Sequence, residues 1–73
     1  MFVYKKLWKK LIDDEIKKTE LSEKAHISMT SIAKLGKNEN VNTDILNKIC
    51  IALNCDVSDI MEFVPDNKEV IKE

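Results

Sequence analysis

The side chains whose types and spacing could do chemistry lie between Lys17 and Leu35, in the stretch KKTELSEKAHISMTSIAKL. Read as a short helix, a tight corner and a second helix, this stretch turns Leu21, Ala25, Ile27, Ile32 and Leu35 inward. Met29, Thr30 and Lys34 are left pointing outward. A hydroxyl that donates or accepts, a thioether that packs on methyl groups and an ammonium with three donors are suited to touching base edges and phosphates. They are poorly suited to breaking bonds. Ser22, Ser28, Ser31 and Ser58 have no histidine and acid arranged to activate them, so capping and packing explain them better than nucleophilic catalysis. His26 is the only histidine and has no partner at ligand spacing, so it reads as a corner residue rather than a metal ligand or proton switch. Cys50 and Cys55 stand five apart without the paired spacing of a zinc site, and Cys50 reads as a small buried hydrophobe. The expectation is a protein that is not an enzyme and needs no cofactor or metal.

The elements that must position these groups follow from the apolar pattern. Val3, Tyr4, Leu7, Trp8, Leu11 and Ile12 mark one face of a helix from Val3 to Glu15, with Lys5, Lys6, Lys9 and Lys10 on the wet face. Its last turn carries Asp13, Asp14 and Glu15, which the helix dipole disfavours, so this end is expected to fray. The second helix starts near Lys17 or Lys18 and runs to Ala25. Lysine is a poor residue at a helix N-terminus, and a bound phosphate would reverse that penalty. Ser28 caps a third helix from Met29 to Leu35, and Gly36, the only glycine, is expected to end it in the left-handed conformation.

The segment KNENV, Lys37 to Val41, reads as a polar loop. Asn42 or Thr43 caps a fourth helix running to about Leu53, with Ile45, Leu46, Ile49, Cys50 and Leu53 as its core stripe. Ile51 lies on the opposite face. Ser58 is expected to cap a fifth, short helix through Ile60, Met61 and Phe63, which Pro65 stops. Residues 1–65 thus read as one domain and 66–73 as a polar tail.

With 73 residues, 44% of them hydrophobic, the chain can bury one small core but not build a deep catalytic cleft. No apolar run is long enough for a membrane span or a signal-peptide core, which makes a cytoplasmic protein without a membrane or small-molecule substrate the expectation. The net charge of −1 hides a segregation. Nine lysines against five acids give Met1 to Lys37 a charge of +4, and three against eight give the remainder −5. A basic first half can bind phosphate even in a slightly acidic chain, because charges farther apart than about a Debye length, roughly 8 Å, are screened. Arginine is absent, so guanine would be read by lysine or by neutral polar groups.

The words TELSEKAHIS, SIAKLGKNEN and TDILNKICIALNCDVSDIM, in that order, resemble the Cro/repressor-type helix-turn-helix proteins of the XRE family, from Tyr4 to about Phe63. Without a second domain, the chain is similar to the minimal regulators of this family in Gram-positive bacteria. The resemblance implies an all-α, compact five-helix lambda-repressor-like DNA-binding domain. It also implies a transcriptional regulator, such as a repressor, binding double-stranded DNA sequence-specifically as a homodimer. Carried over by position, Ser28, Met29, Thr30, Ala33 and Lys34 would face the base edges. Lys17, Lys18 and Thr19 would grip the backbone on one side, and Lys37, Asn40, Asn42 and Thr43 on the other. Ile51 would serve the dimer interface, together with Phe2 and Val3.

Two departures stand out. His26 replaces the family's corner glycine, at a cost on the order of 1 kcal/mol. A lysine pair opens the second helix where the family often has Ser and Gln. A second reading, from a different class, is a protein-binding adaptor or antitoxin component built on the same fold; the acidic second half and Ile51 motivate it.

Overall fold

Leu7 and Leu11, one turn apart, seat the first helix, α1 (Lys5–Asp13), against the rest of the chain. A computed structural model describes residues 1–65, and the expected polar tail, 66–73, lies outside the described residues. After α1 come α2 (Lys18–Ala25), α3 (Met29–Gly36) and α4 (Thr43–Leu53), followed by a 3₁₀ turn at Val57–Asp59. The ends meet as two short antiparallel strands, β1 (Phe2–Val3) and β2 (Glu62–Phe63), with Phe2 opposite Phe63 and Val3 opposite Glu62. The domain is mostly helical, in keeping with the expected class, and the described residues form four α-helices, a 3₁₀ turn and a strand pair where the sequence predicts five helices.

The expected fifth helix is replaced for a physical reason. Helices of one or two turns are marginal without tertiary support. Here, the support goes to extended chain: Val64 N–H donates to the Met1 carbonyl at 2.7 Å, and the Phe2 and Phe63 rings meet edge-on, 5.7 Å apart. Asp56, rather than Ser58, begins the turn, its N–H donating to Asp59 Oδ2 at 3.0 Å. Ile60, fully buried, anchors the segment, while Phe63 is left 62% exposed.

The core comprises Tyr4, Leu7, Leu11, Leu21, Ala25, Ile27, Ile32, Leu35, Ile49 and Ile60. All five inward residues read from the Lys17–Leu35 stretch are in it. Ile45, Leu46, Cys50 and Leu53 pack half-buried against it, as the stripe on the fourth helix predicts. Ile12 departs from expectation: it belongs to the apolar pattern of α1 yet is 75% exposed, because α1 ends at the next residue, Asp13, and no element among the described residues covers it. The wet-face lysines are occupied locally, Lys9 with Asp13 at 3.5 Å, Lys10 with Asp14 at 3.6 Å, and Lys6 Nζ donating to the Ser58 carbonyl at 3.2 Å.

These lysines also answer the acids at the end of α1, which closes in an ordered cap instead of fraying. Ile16 N–H donates to the Leu11 carbonyl at 2.8 Å across Glu15, which sits at φ 56°. The same closure recurs at Ile27 to Ser22, Glu39 to Lys34 and Cys55 to Cys50, across left-handed His26, Asn38 and Asn54. Every helix thus ends on a left-handed residue that is not glycine. Gly36 is the last residue of α3 and has no positive φ, so the expected helix stop is displaced to Asn38. Asparagine tolerates this conformation, and its side chain adds a reason for its place: Asn38 Oδ1 accepts the Tyr4 N–H at 3.1 Å. Glycine at Glu15 or His26 is accordingly expected to stabilise the domain by about 1 kcal/mol each, and Gly36→Ala by about 0.5 kcal/mol. Urea denaturation followed by circular dichroism checks both; loss of stability in all three variants would contradict the cap assignments.

Candidate nucleic-acid interface

The corner between α2 and α3 is fixed by hydrogen bonds that the sequence supplies locally. His26, at φ 57° and ψ 46°, turns the chain without a glycine. Ser22 Oγ donates to the Ile27 carbonyl at 2.6 Å, and Ile27 itself is buried, so the corner is pinned at its hydroxyl and its apolar side chain alike. Ser28 then caps α3, accepting the Ser31 N–H at 3.1 Å. Its hydroxyl donates onward to Ser31 Oγ at 3.2 Å. Ser28, expected at a base edge, therefore has its hydroxyl engaged in holding the start of α3.

Met29, Thr30, Ala33 and Lys34 are all exposed on α3. The pairs Met29/Ala33 and Thr30/Lys34 stand at i, i+4 and form one continuous ridge, which Lys37 extends by a further turn. The opposite side of the helix is Ile32 and Leu35, both buried. One side of α3 is thus held rigidly in the core and the other is free to enter a groove.

Lys17, Lys18 and Thr19 are exposed at the start of α2, where the expected electrostatic penalty is partly relieved. Glu20 Oε1 accepts the Lys17 N–H at 2.8 Å, and Lys18 Nζ lies 4.7 Å from the centre of the Trp8 ring. These residues share a groove with Gly36, so the start of α2 lies beside the end of α3. On the far side, Asn40, Asn42 and Thr43 are exposed. Asn42 Oδ1 caps α4 by accepting the Ile45 N–H at 3.1 Å, which leaves its amide nitrogen as a donor. Asp44, in the first turn of α4, pairs with Lys48 at 3.3 Å.

Other groups singled out from the sequence lie away from this surface. Ile51 is 71% exposed on α4, on the face opposite the core. Cys50 and Cys55 are free, half-buried thiols, and burial pushes both above the ordinary thiol range, as it does the Tyr4 hydroxyl above the phenolic range. Among the described residues no cluster of three or more metal-ligating side chains occurs, and no helix is long and apolar enough to cross a membrane. Ser22 has the structural role that the sequence reading gives it, whereas the supporting role of Glu20 is missed, although Glu20 stands three residues after Lys17 in the spacing of a capping box.

A pinned corner, a capped α3 with one buried and one exposed side, and a capped α4 behind it define a helix-turn-helix domain. The family model of the Cro/C1-type helix-turn-helix DNA-binding domain matches residues 6–66, and the chain belongs to that family. Among solved structures it is similar to the crystal structure of the transcriptional regulator VanUg, with 52% identity and a TM-score of 0.83 over 89% of this chain and 87% of that one. No curated protein sequence matches.

Proposed function

We propose that this chain is a transcriptional regulator that binds double-stranded DNA sequence-specifically through α3 and works as a homodimer in the cytoplasm. The observation that carries the reading is the exposed ridge Met29, Thr30, Ala33, Lys34 on a helix whose other side is locked in the core. Family membership and the similarity to VanUg, itself a transcriptional regulator, support it. Thr30 donates or accepts at a base edge, Met29 and Ala33 meet thymine methyls, and Lys34 reaches guanine acceptors. Ser28 positions the helix start. Lys17, Lys18, Thr19, Lys37, Asn40, Asn42 and Thr43 hold phosphates on the two flanks, and no cofactor or catalytic step is involved. Pairing through Ile51, with Phe2 and Val3 as a second apolar edge, would set two α3 helices into half-sites about 34 Å apart.

The division between readers and holders is testable with two substitutions. Lys34→Ala is expected to lower affinity for the preferred sequence by about tenfold to a hundredfold and to leave binding to random DNA nearly unchanged. Lys18→Ala should weaken both alike. Fluorescence anisotropy with the two DNAs measures this, and an equal loss on both DNAs for Lys34→Ala contradicts the assignment.

A further inference from the structure

The only glycine of the chain lies where no turn needs it. Gly36 is helical, and a Cβ built on it meets no atom within 4 Å. Alanine would serve the helix better, so what the missing side chain provides is bare backbone on the wall of a groove between α1 and the start of α2. That groove has a volume of about 760 Å³, in the range that holds small organic molecules. Its floor is apolar, made by Trp8, Leu11, Ile12 and Ile16, and Ile12 is left 75% exposed there by the described residues. At one end stand Lys17 and Lys18, neither in an ion pair among the described residues, and Lys18 Nζ hangs 4.7 Å from the Trp8 ring centre.

We propose that this groove binds an amphipathic organic anion of small-molecule size. Its apolar body lies over Trp8, Ile12 and Ile16 against the Gly36 backbone, and its carboxylate meets Lys17 and Lys18. The apolar floor accounts for the body, two ammonium groups outside any ion pair among the described residues for the sign of the head group, and the bare glycine for the room. Because the same two lysines are assigned to phosphate above, occupancy lowers DNA affinity; this consequence rests on the proposed DNA-binding function, whereas the binding itself does not.

Trp8 is the only tryptophan, so its emission reports the groove directly and without DNA. Titration of the full chain with monomeric decanoate is expected to change Trp8 emission saturably, with half-saturation at roughly 0.1 mM. Decanol should bind at least about tenfold more weakly, and acetate should give no response. Gly36→Leu fills the groove and should weaken decanoate at least about tenfold with helix content unchanged. Ile12→Ser, at an exposed position, provides the same test if Gly36→Leu fails to fold. Equal binding of decanol and decanoate, or undiminished binding by both variants, overturns the proposal. So does a Trp8 response to protein concentration alone, which would make a second copy the occupant. A normal Trp8 titration by a chain that binds no DNA would leave the groove standing and remove the DNA-binding function instead.

Discussion

Leu21→Ala is expected to destabilise the domain by about 2–5 kcal/mol, the range for emptying a fully buried leucine site. Leu21 has no exposed surface and sits on α2, which packs against both α3 and α4. Ile32, Leu35 and Ile49 belong to the same core and are fully or almost fully buried, so truncation leaves a void among packed side chains. For a domain of this length the total stability is about 4–11 kcal/mol, so the substitution removes a large share of it. Urea denaturation followed through Trp8 emission measures the change, with Glu23→Ala on the exposed side of α2 as the comparison, expected within about 0.5 kcal/mol of the unchanged protein. A loss under about 1 kcal/mol for Leu21→Ala would contradict the placement of α2 at the centre of the fold.

The second large effect is on DNA binding through salt. Three lysines per protomer, Lys17, Lys18 and Lys37, are assigned to phosphates, which sets a log-log slope against salt of about −2.7, or about −5.4 for a pair of protomers. Raising salt from about 50 to 200 mM should then weaken a single protomer about 40-fold and a bound pair about 1,800-fold. Anisotropy titrations across that range measure the slope. A slope near zero contradicts phosphate holding altogether, and a Lys18→Ala slope equal to that of the unchanged protein contradicts the role of that residue.

The centre of the fold and the edges of the fold were not equally legible. Leu21, Ala25, Ile27, Ile32 and Leu35 are spaced by the helix itself, and Ser28 and Asn42 cap within three residues of their own position. Such local rules can be read from sequence. The β1–β2 pairing joins residues about sixty positions apart through strands of two residues, too short for a period-two pattern to register. Ile12 carries the helical spacing of a core residue, but only the packing of later elements decides that nothing covers it. The sequence puts the stop of α3 at Gly36 because glycine is the usual left-handed residue, whereas Asn38 takes that conformation and accepts a hydrogen bond from Tyr4, 34 positions away.

The candidate interface divides the same way. Which residues of α3 point outward follows from the buried pair Ile32 and Leu35 and is legible in the sequence. That the Ser28 hydroxyl is engaged in capping and bonding Ser31, and that the start of α2 lies beside Gly36, depends on three-dimensional neighbours.

The central claim, that the exposed ridge of α3 reads base sequence, is tested most directly by selecting bound fragments from random double-stranded DNA with the full chain. The account predicts enrichment of a palindrome with half-sites one helical turn apart, lost or altered at discrete base positions in Lys34→Ala and Thr30→Ala. Enrichment of no sequence, with binding that tracks DNA length and salt alone, would contradict it.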